Sequence, residues 1–347
     1  MADPFVLVKP LLHRLDPETA HEWTLRALEM GLVPGQPPDD DPLLATELLG
    51  RRLASPIGLA AGFDKNARVF GRMFRQGFSF VEIGGVTPLP QDGNSRPRVF
   101  RLPEDGGVIN RMGFPNDGAA AVEARVRATP ARGMLGINLA SNAVCDDPVE
   151  DFVQLVTRFA GLADYLTLDI SCPNTANGQI FLQPERLREL LARLQTLTFP
   201  AQRPALLAKL SPDVDAHRLE ELVLVLLEGK IDGIVVSNTT TARPGLRSDR
   251  GAERGGLSGA PLFAASTAML AHVARIVQGR VPLIGVGGIT NGADAYAKIC
   301  AGANAVQLYT SLIYAGTALV TTIKRDLSRL LARAGFASVA AAAVSRL

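Results

Sequence analysis

Aromatic residues are scarce in this chain, 5% of 347 residues with a single tryptophan, and the apolar mass comes mainly from Ala, Leu and Val. Excess charge of either sign is missing too. Lys and Arg number 36 against 34 Asp and Glu, the net charge is +2, and no Lys/Arg block stands alone. That removes the electrostatic case for a nucleic-acid partner. Cysteine is rare: Cys145, Cys172 and Cys300 are odd in number and lack metal-type spacing, which favours a reducing compartment over a disulfide framework. No window of about 18 uninterrupted apolar residues occurs, so no membrane-spanning segment is expected. Asp3 and the Lys9-Pro10 interruption make the N-terminus a poor secretory signal. His13, His21, His217 and His272 all fall in helical or N-terminal stretches, so neither a histidine base nor a metal centre is expected. No two carboxylates pair at glycosidase-like positions. The expected setting is the cytoplasmic side, soluble or peripherally bound.

What is present is a rhythm. From Pro56 onward, short apolar runs suited to buried strands recur at Ile57–Ala60, Phe80–Ile83, Met134–Leu139, Tyr165–Asp169, Ala205–Leu210, Ile231–Ser237, Leu283–Val286 and Ala305–Tyr309. Helical patterns separate most of them: Ala67–Gln76, Val149–Leu162, Pro184–Leu197, Asp215–Leu227, Pro261–Gln278 and Ala293–Ala301. Eight strands alternating with helices predict an α/β fold, a closed (β/α)8 TIM barrel. A doubly wound open sheet is the alternative, but the first βα turn lacks Gly-x-Gly-x-x-Gly. Between the second and third strands, Arg96–Leu102 and Gly107–Asn110 flank the turn formers Pro103–Gly106, which predicts a small β-hairpin excursion over the barrel mouth. Thr317–Ala334 fits a closing helix. The N-terminal 50 residues differ, with helices expected at Phe5–Leu15 and Pro17–Gly31, the second capped by Asp16, and a linker at Val33–Pro42. Their apolar sides suit either a cap on the core or a lipid- and quinone-facing platform.

Barrel chemistry lies at the C-terminal strand ends. Those ends read Ala61-Gly62-Phe63-Asp64-Lys65, Gly84-Gly85, Asn138, Asp169 through Asn174, Lys209, Ser237-Asn238-Thr239, Gly287-Gly288 and Tyr309-Thr310. Six of the eight carry polar side chains directly after an apolar run, the signature of a lined pocket. Gly285–Gly288, Gln307–Thr310 and Gly255–Gly259 suit a phosphate, because glycines let backbone N–H groups approach an anion. Lys65 and Lys209 are either rim ion pairs or fixed positive charges facing an anionic ring or carboxylate. Asn110, Asn138, Asn174 and Asn238 each donate and accept, which suits a flat heterocycle. With histidine eliminated, Cys172 is the candidate base: Pro173 stiffens its loop, and a thiol of ordinary pKa near ~8.5 lies within reach of neutrality. Cys300 reads as core.

Ordered motifs over nearly the whole chain resemble the dihydroorotate dehydrogenase family, in its membrane-associated, quinone-linked class 2 form. They are Asp16–Glu22, Ala60–Lys65, Val86-Thr-Pro with Gly93-Asn94 and Arg96-Pro-Arg98, Asn110–Phe114, Ser237–Thr240, Gly255–Gly259, Gly285–Gly288 and Gln307–Thr310. The resemblance implies FMN at the strand ends, with Gly259, Gly288, Tyr309 and Thr310 near its phosphate. Asn138, Lys209 and Ser237 would contact the isoalloxazine or ribityl part, and Ala61, Gly62, Phe63, Asp64, Lys65, Gly85 and Asp169 complete the implied cofactor set. Dihydroorotate would meet Lys65, Asn110, Arg111, Met112, Gly113, Phe114, Asp169, Asn174, Asn238 and Thr239. Cys172 would take a proton from C5 while a hydride leaves C6 for flavin, with Lys209 stabilising the negative charge that develops.

Residues 1–45 would then form the quinone and peripheral membrane segment, on the cytoplasmic side of the inner membrane, and 46–347 the FMN barrel. A soluble acceptor or another dihydropyrimidine substrate is the alternative. The chain departs from the family pattern in five places. Cys172 replaces the usual class 2 Ser, as in class 1 enzymes, and Asp169 stands where Asn is usual. Gly85 replaces Thr or Ser, Ala140-Ser141 replaces Gly-Lys, and Ala176–Gln179 replaces Pro-Gly-Leu-Arg. Because a thiol ionises more readily than a hydroxyl, activity is expected to extend to lower pH.

Overall fold

The structure is a computed structural model that describes residues 4–36, 41–175, 178–199 and 202–344. Part of the 33–42 linker and of the 176–179 run lies outside the described residues. The chain opens with α1 (Pro4–Arg14) and α2 (Pro17–Glu29). Asp16 caps α2 by accepting the Glu18 and Thr19 N–H groups at 3.0 and 3.2 Å, and Pro17 occupies the first turn, where no N–H is needed. A hairpin not foreseen in the sequence follows, β1 (Thr46–Leu48) and β2 (Arg51–Leu53). Its turn puts Leu49 and Gly50 at φ 52° and 75°, the left-handed pair that matches strand twist.

The barrel rhythm begins with β3 (Ile57–Leu59), α3 (Phe70–Phe74) and β4 (Phe80–Val86). The long connection contains β5 (Val99–Leu102), β6 (Gly107–Asn110) and α4 (Gly118–Ala128), and then come β7 (Met134–Leu139), α5 (Pro148–Phe159), β8 (Tyr165–Asp169), α6 (Pro184–Gln195), β9 (Ala205–Leu210), α7 (Ala216–Glu228) and β10 (Gly233–Val236). The chain continues through β11 (Gly256–Gly259), α8 (Phe263–Val277), β12 (Leu283–Val286), α9 (Gly292–Cys300), β13 (Ala305–Leu308), α10 (Thr310–Ala315), α11 (Leu319–Arg333) and α12 (Val339–Val344). Strands β3, β4, β7, β8, β9, β10, β12 and β13 close into a parallel barrel. The open-sheet alternative is thereby excluded.

Two expectations need correction, and three helices were not foreseen. The Gly255–Gly259 segment is not a free loop. It is strand β11, paired antiparallel to β6, so the expected two-stranded hairpin is a three-stranded sheet in the order β11-β6-β5. The first βα helix, α3, is only five residues, because Asp64–Ala67 is used in a turn instead. The Ala-rich segments that form α4 and α12 carry no strong apolar stripe, and α10 is a single short turn after Tyr309.

Inside the barrel, the N-terminal layer is apolar. Phe80, Met134, Tyr165, Leu207, Val235, Ile284 and Ala305 pack together, and Leu48 and Leu53 of the β1–β2 hairpin close this end like a plug. Gly58 and Gly136 make room for two rings: a Cβ would lie 2.3 Å from Phe80 and 2.1 Å from Tyr165. The layer above is polar. Glu82, fully buried, accepts from Asn138 Nδ2 (3.1 Å), the Tyr165 hydroxyl (3.1 Å) and Gln307 Nε2 (2.9 Å). A barrel interior that served only as core would be filled with branched apolar side chains here. Ala260–Val277 is apolar and long enough to cross a membrane by composition, but it is a short turn leading into the barrel helix α8, which packs against α7, α9, β10 and β12.

Candidate active site

The polar floor leads to the C-terminal ends of β7, β8, β9 and β10. Tyr165, Thr167 and Asp169 alternate along β8 and share one face, the interior one, since a strand's side chains repeat every second residue. Asp169 is in register with Lys209 on the neighbouring strand. Asn238 donates to Asp169 Oδ1 (3.0 Å) and Ser171 Oγ (3.2 Å), while Ser171 Oγ donates to the Lys209 carbonyl (2.8 Å). Asn138 also favours the ionised form of the Asp169 carboxyl. Burial raises the Asp169 pKa, the Glu82 charge adds to that rise, and Lys209 opposes it. Four strand ends thus converge on one carboxyl group.

Cys172 sits beside this cluster, and here the expectation of a readily ionised thiol is overturned. The residue is 7% exposed, and its pKa is pushed up to about 12, first by burial and then by the Asp169 charge. The Asn174 N–H and the Thr175 hydroxyl offset part of the rise. The stiff loop turns the thiol inward, and the nearest charge is of the wrong sign to stabilise a thiolate.

Asn94 clasps the two loops at the mouth. Its side-chain amide donates to the carbonyls of Arg111 (2.9 Å) and Asn174 (3.0 Å), and its N–H donates to Met112 O (2.9 Å). Gly113 is required against it, because a Cβ would approach the Asn94 amide to 2.9 Å. The motif Gly93-Asn94 was visible in the sequence, but the clasp was not. Phe114, at φ 53°, lays its ring on Gly85, where a Cβ would come within 2.7 Å. Asn110 closes β6 opposite Gly256. The Arg111 guanidinium points elsewhere, to Glu253 (2.8 Å), the Pro97 carbonyl (2.9 Å) and the face of Phe100.

At the β3 end, the Lys65 ammonium donates to the Gly62 carbonyl at 2.6 Å, and burial lowers its pKa to about 8. The Asp64 carboxylate accepts the Arg68 and Val69 N–H groups at 2.8 and 2.7 Å, so its side chain holds the turn. Gly62 N–H bonds Gly84 O (2.7 Å), which locks this loop onto β4. Ala61 is half-buried, and Phe63 meets the Tyr309 ring edge-on at 5.5 Å. After β10, Ser237 Oγ donates to Asn238 O (2.9 Å), and Thr239 N–H donates to Asn238 Oδ1 (2.8 Å), which fixes that carboxamide's orientation.

On the opposite side lies a cradle of glycines. Gly259, Gly287 and Gly288 have φ of 89°, 105° and 76°, and a Cβ on Gly288 would sit 2.5 Å from Phe263. Thr310 Oγ1 bonds Ser258 Oγ at 2.9 Å, and the next hydroxyl, Ser311 Oγ, is buried without a partner. Among the described residues no cluster of three metal-ligating side chains occurs.

A family model for dihydroorotate dehydrogenase matches residues 43–331. The chain belongs to the dihydroorotate dehydrogenase family. It is 49% identical to the dihydroorotate dehydrogenase (quinone) of Rhodospirillum rubrum, over 99% of this chain and 94% of that protein. It is 44% identical to the mitochondrial dihydroorotate dehydrogenase (quinone) of Mus musculus, over 95% of this chain and 87% of that protein. The crystal structure of a dihydroorotate dehydrogenase from Eimeria tenella with ferulenol superposes with a TM-score of 0.90 at 37% identity, covering 94% of each chain.

FMN is the cofactor of this dihydroorotate dehydrogenase family, and the site fits it. The glycine cradle and the unpartnered Ser311 hydroxyl suit a phosphate. The buried, unpartnered Asn138 Oδ1 suits a heterocyclic N–H. Gly85 carries no side chain because the Phe114 ring packs against it, and this keeps the Asn138 carboxamide, 3.2 Å from a would-be Cβ there, uncovered.

Proposed function

We propose that the chain oxidises (S)-dihydroorotate to orotate, with FMN taking the hydride and a membrane quinone as final acceptor, in pyrimidine biosynthesis. The observation that carries this is the convergence of Asn138, Asp169, Cys172, Lys209 and Asn238 at one barrel mouth in a chain of this family. When bound, FMN supplies a two-electron acceptor for the hydride from C6 of the substrate. Gly259, Gly288, Tyr309 and Thr310 hold its phosphate, and Asn138, Lys209 and Ser237 hold its ring and ribityl chain. Lys65, Asn110 through Phe114, Asn174, Asn238 and Thr239 hold the substrate. Cys172 Sγ removes the C5 proton. Its thiol is protonated at rest, so it acts as a base only from a minor thiolate population. The Lys209 ammonium, whose strand position is in register with Asp169, would stabilise negative charge developing on the ring.

Residues 1–45 serve as the quinone and membrane segment. Val6, Leu7, Leu11, Trp23, Met30 and Leu32 are 52–81% exposed, a greasy surface suited to lipid at the cytoplasmic face of the inner membrane. The other side of the pair is bonded to the barrel, with Glu18 on Arg98 (2.9 Å), and Glu22 and Glu29 on Arg68 (both 2.7 Å). His21, on α2, turns its ring toward the barrel. Its Nε2 is 2.9 Å from the Phe63 carbonyl oxygen, and its ring leans on Phe63 and Tyr309 at 5.3 and 6.3 Å. That line of rings runs from the exposed helices to the expected phosphate side of the cofactor.

The test is anaerobic. Dihydroorotate bleaches the flavin, and a ubiquinone analogue then restores its colour faster than fumarate or NAD⁺. Faster recovery with a soluble acceptor would reassign the acceptor, and failure to bleach would reassign the substrate.

A further inference from the structure

Lys298 has no exposure at all, yet nothing in the proposed chemistry uses it. Its ammonium, on α9, donates to Ser266 Oγ (2.8 Å) and Thr267 Oγ1 (3.1 Å) on α8, and lies 5.3 Å from the Phe263 ring centre. No carboxylate among the described residues bonds it. Asp294, one turn earlier on α9, acts on it from a distance while its own carboxylate accepts the Thr290 N–H and hydroxyl at 2.8 and 2.6 Å. On α11, Asp326 faces Gly292 and pairs with Arg325 and Arg329, while the Lys324 ammonium lies toward Gly77. β13 and α12 carry no ionisable side chain. Burial accordingly pulls the Lys298 pKa down to about 7. Among the described residues the fold holds a buried amine with hydroxyl partners and no carboxylate bonded to it, an arrangement that costs stability unless an anion completes it.

The amine stands directly behind the glycine cradle. Ser266 Oγ is 3.1 Å from both the Gly287 and Phe263 carbonyl oxygens. The Gly287 carbonyl and the Gly288 N–H share one planar trans peptide and point in opposite directions. Anchoring the carbonyl on Ser266 therefore aims the Gly288 N–H away from α8. A Cβ on Gly288 would come 2.5 Å from Phe263 at the start of that helix, so only glycine fits there.

We propose that Lys298 is a positioning residue for the FMN phosphate: the bound dianion draws one solvent proton onto the Lys298 amine, and the resulting ammonium, through Ser266, holds the Gly287–Gly288 peptide toward it. This rests on the reading that places the phosphate at Gly259, Gly288 and Thr310.

The experiment titrates FMN, and riboflavin as the phosphate-free control, into the full-length protein stripped of flavin. Calorimetry at pH 8 in two buffers of different ionisation enthalpy counts protons. At that pH a phosphate monoester, with a second pKa near ~6, is already dianionic. An amine titrating near 7 is then mostly neutral, so the wild type takes up close to one proton with FMN and none more than the control with riboflavin. Lys298→Met abolishes the uptake and lowers the FMN-to-riboflavin affinity ratio about tenfold, and the ratio loses its decline between pH 7 and 9. Equal proton counts for FMN and riboflavin in the wild type overturn the proposal, as does an unchanged ratio with unchanged pH dependence in Lys298→Met. Should that variant not fold, the wild-type proton count decides alone. Gly288→Ala separates the two readings. If it leaves the ratio unchanged, the phosphate placement fails; if it lowers the ratio while the wild type takes up no proton, only the role of Lys298 fails.

Discussion

Replacing Asp169 by asparagine keeps the shape of the β8 end and removes the charge nearest Cys172. The thiol is pushed from 9.0 up to about 12, with burial the larger cause and Asp169 the second. Burial persists in Asp169→Asn, so only the smaller share of the rise is lost, roughly one pH unit or about 1.4 kcal/mol. Lys209, no longer in register with a carboxylate, acts in the same direction. Below its pKa the thiolate population grows tenfold per pH unit. Where Asp169 is ionised and the thiol is not, the variant therefore reduces its flavin about tenfold faster than the wild type when the base step limits the rate. The assay is anaerobic stopped-flow bleaching of the flavin by dihydroorotate across about pH 6 to 10, which isolates the reductive half-reaction from quinone chemistry. The wild-type rate climbs throughout that range without a plateau. A wild-type plateau below about pH 8, or an Asp169→Asn profile displaced to higher pH, refutes the reasoning, because either requires a thiolate that Asp169 does not oppose.

Three further outcomes are expected. Burial, and secondarily Lys65, lowers the His21 pKa from 6.5 to about 3, so the unfolded chain binds the extra proton between those values. Stability then rises with pH through that window and is flat above it; from pH 6.5 to 4.5 the loss is roughly 2 kcal/mol for a partly exposed ring, and denaturant melts of His21→Gln should lack that increment. Gly85→Thr forces a Cβ to within 2.7 Å of the Phe114 ring, an overpacking of about 1–3 kcal/mol that raises KM for dihydroorotate about tenfold or more in steady-state assays. Lys209→Met removes the charge proposed to face the ring and is expected to slow anaerobic flavin reduction by about 10²–10³, with a lower flavin midpoint potential as the readout that packing loss alone would not produce.

The repeat of short apolar runs and helices, and the polar residues following those runs, were legible in the chain because both are local patterns. Closing eight strands into a barrel brings such ends to one mouth whatever lies between them, so which ends meet followed from the strand order. Asp16 at the head of α2 and the hairpin around Pro103–Gly106 were local in the same sense, and Cys300 proved to be core. Only the tertiary structure decided what those residues face. The β1–β2 plug, the third strand of the excursion sheet and the Asn94 clasp each join segments far apart in sequence. The Cys172 loop carries its proline, hydroxyls and carboxamide as expected, but its ionisation depends on burial and on the sign of the closest charge. Neither is a property of the loop itself: burial came from packing around the mouth, and Asp169 acquired Asn138, Lys209 and Asn238 as partners from three other strand ends. Lys298 shows the same dependence, since a lysine in an ordinary helix becomes a buried amine behind the glycine cradle only when α8 and α9 pack side by side.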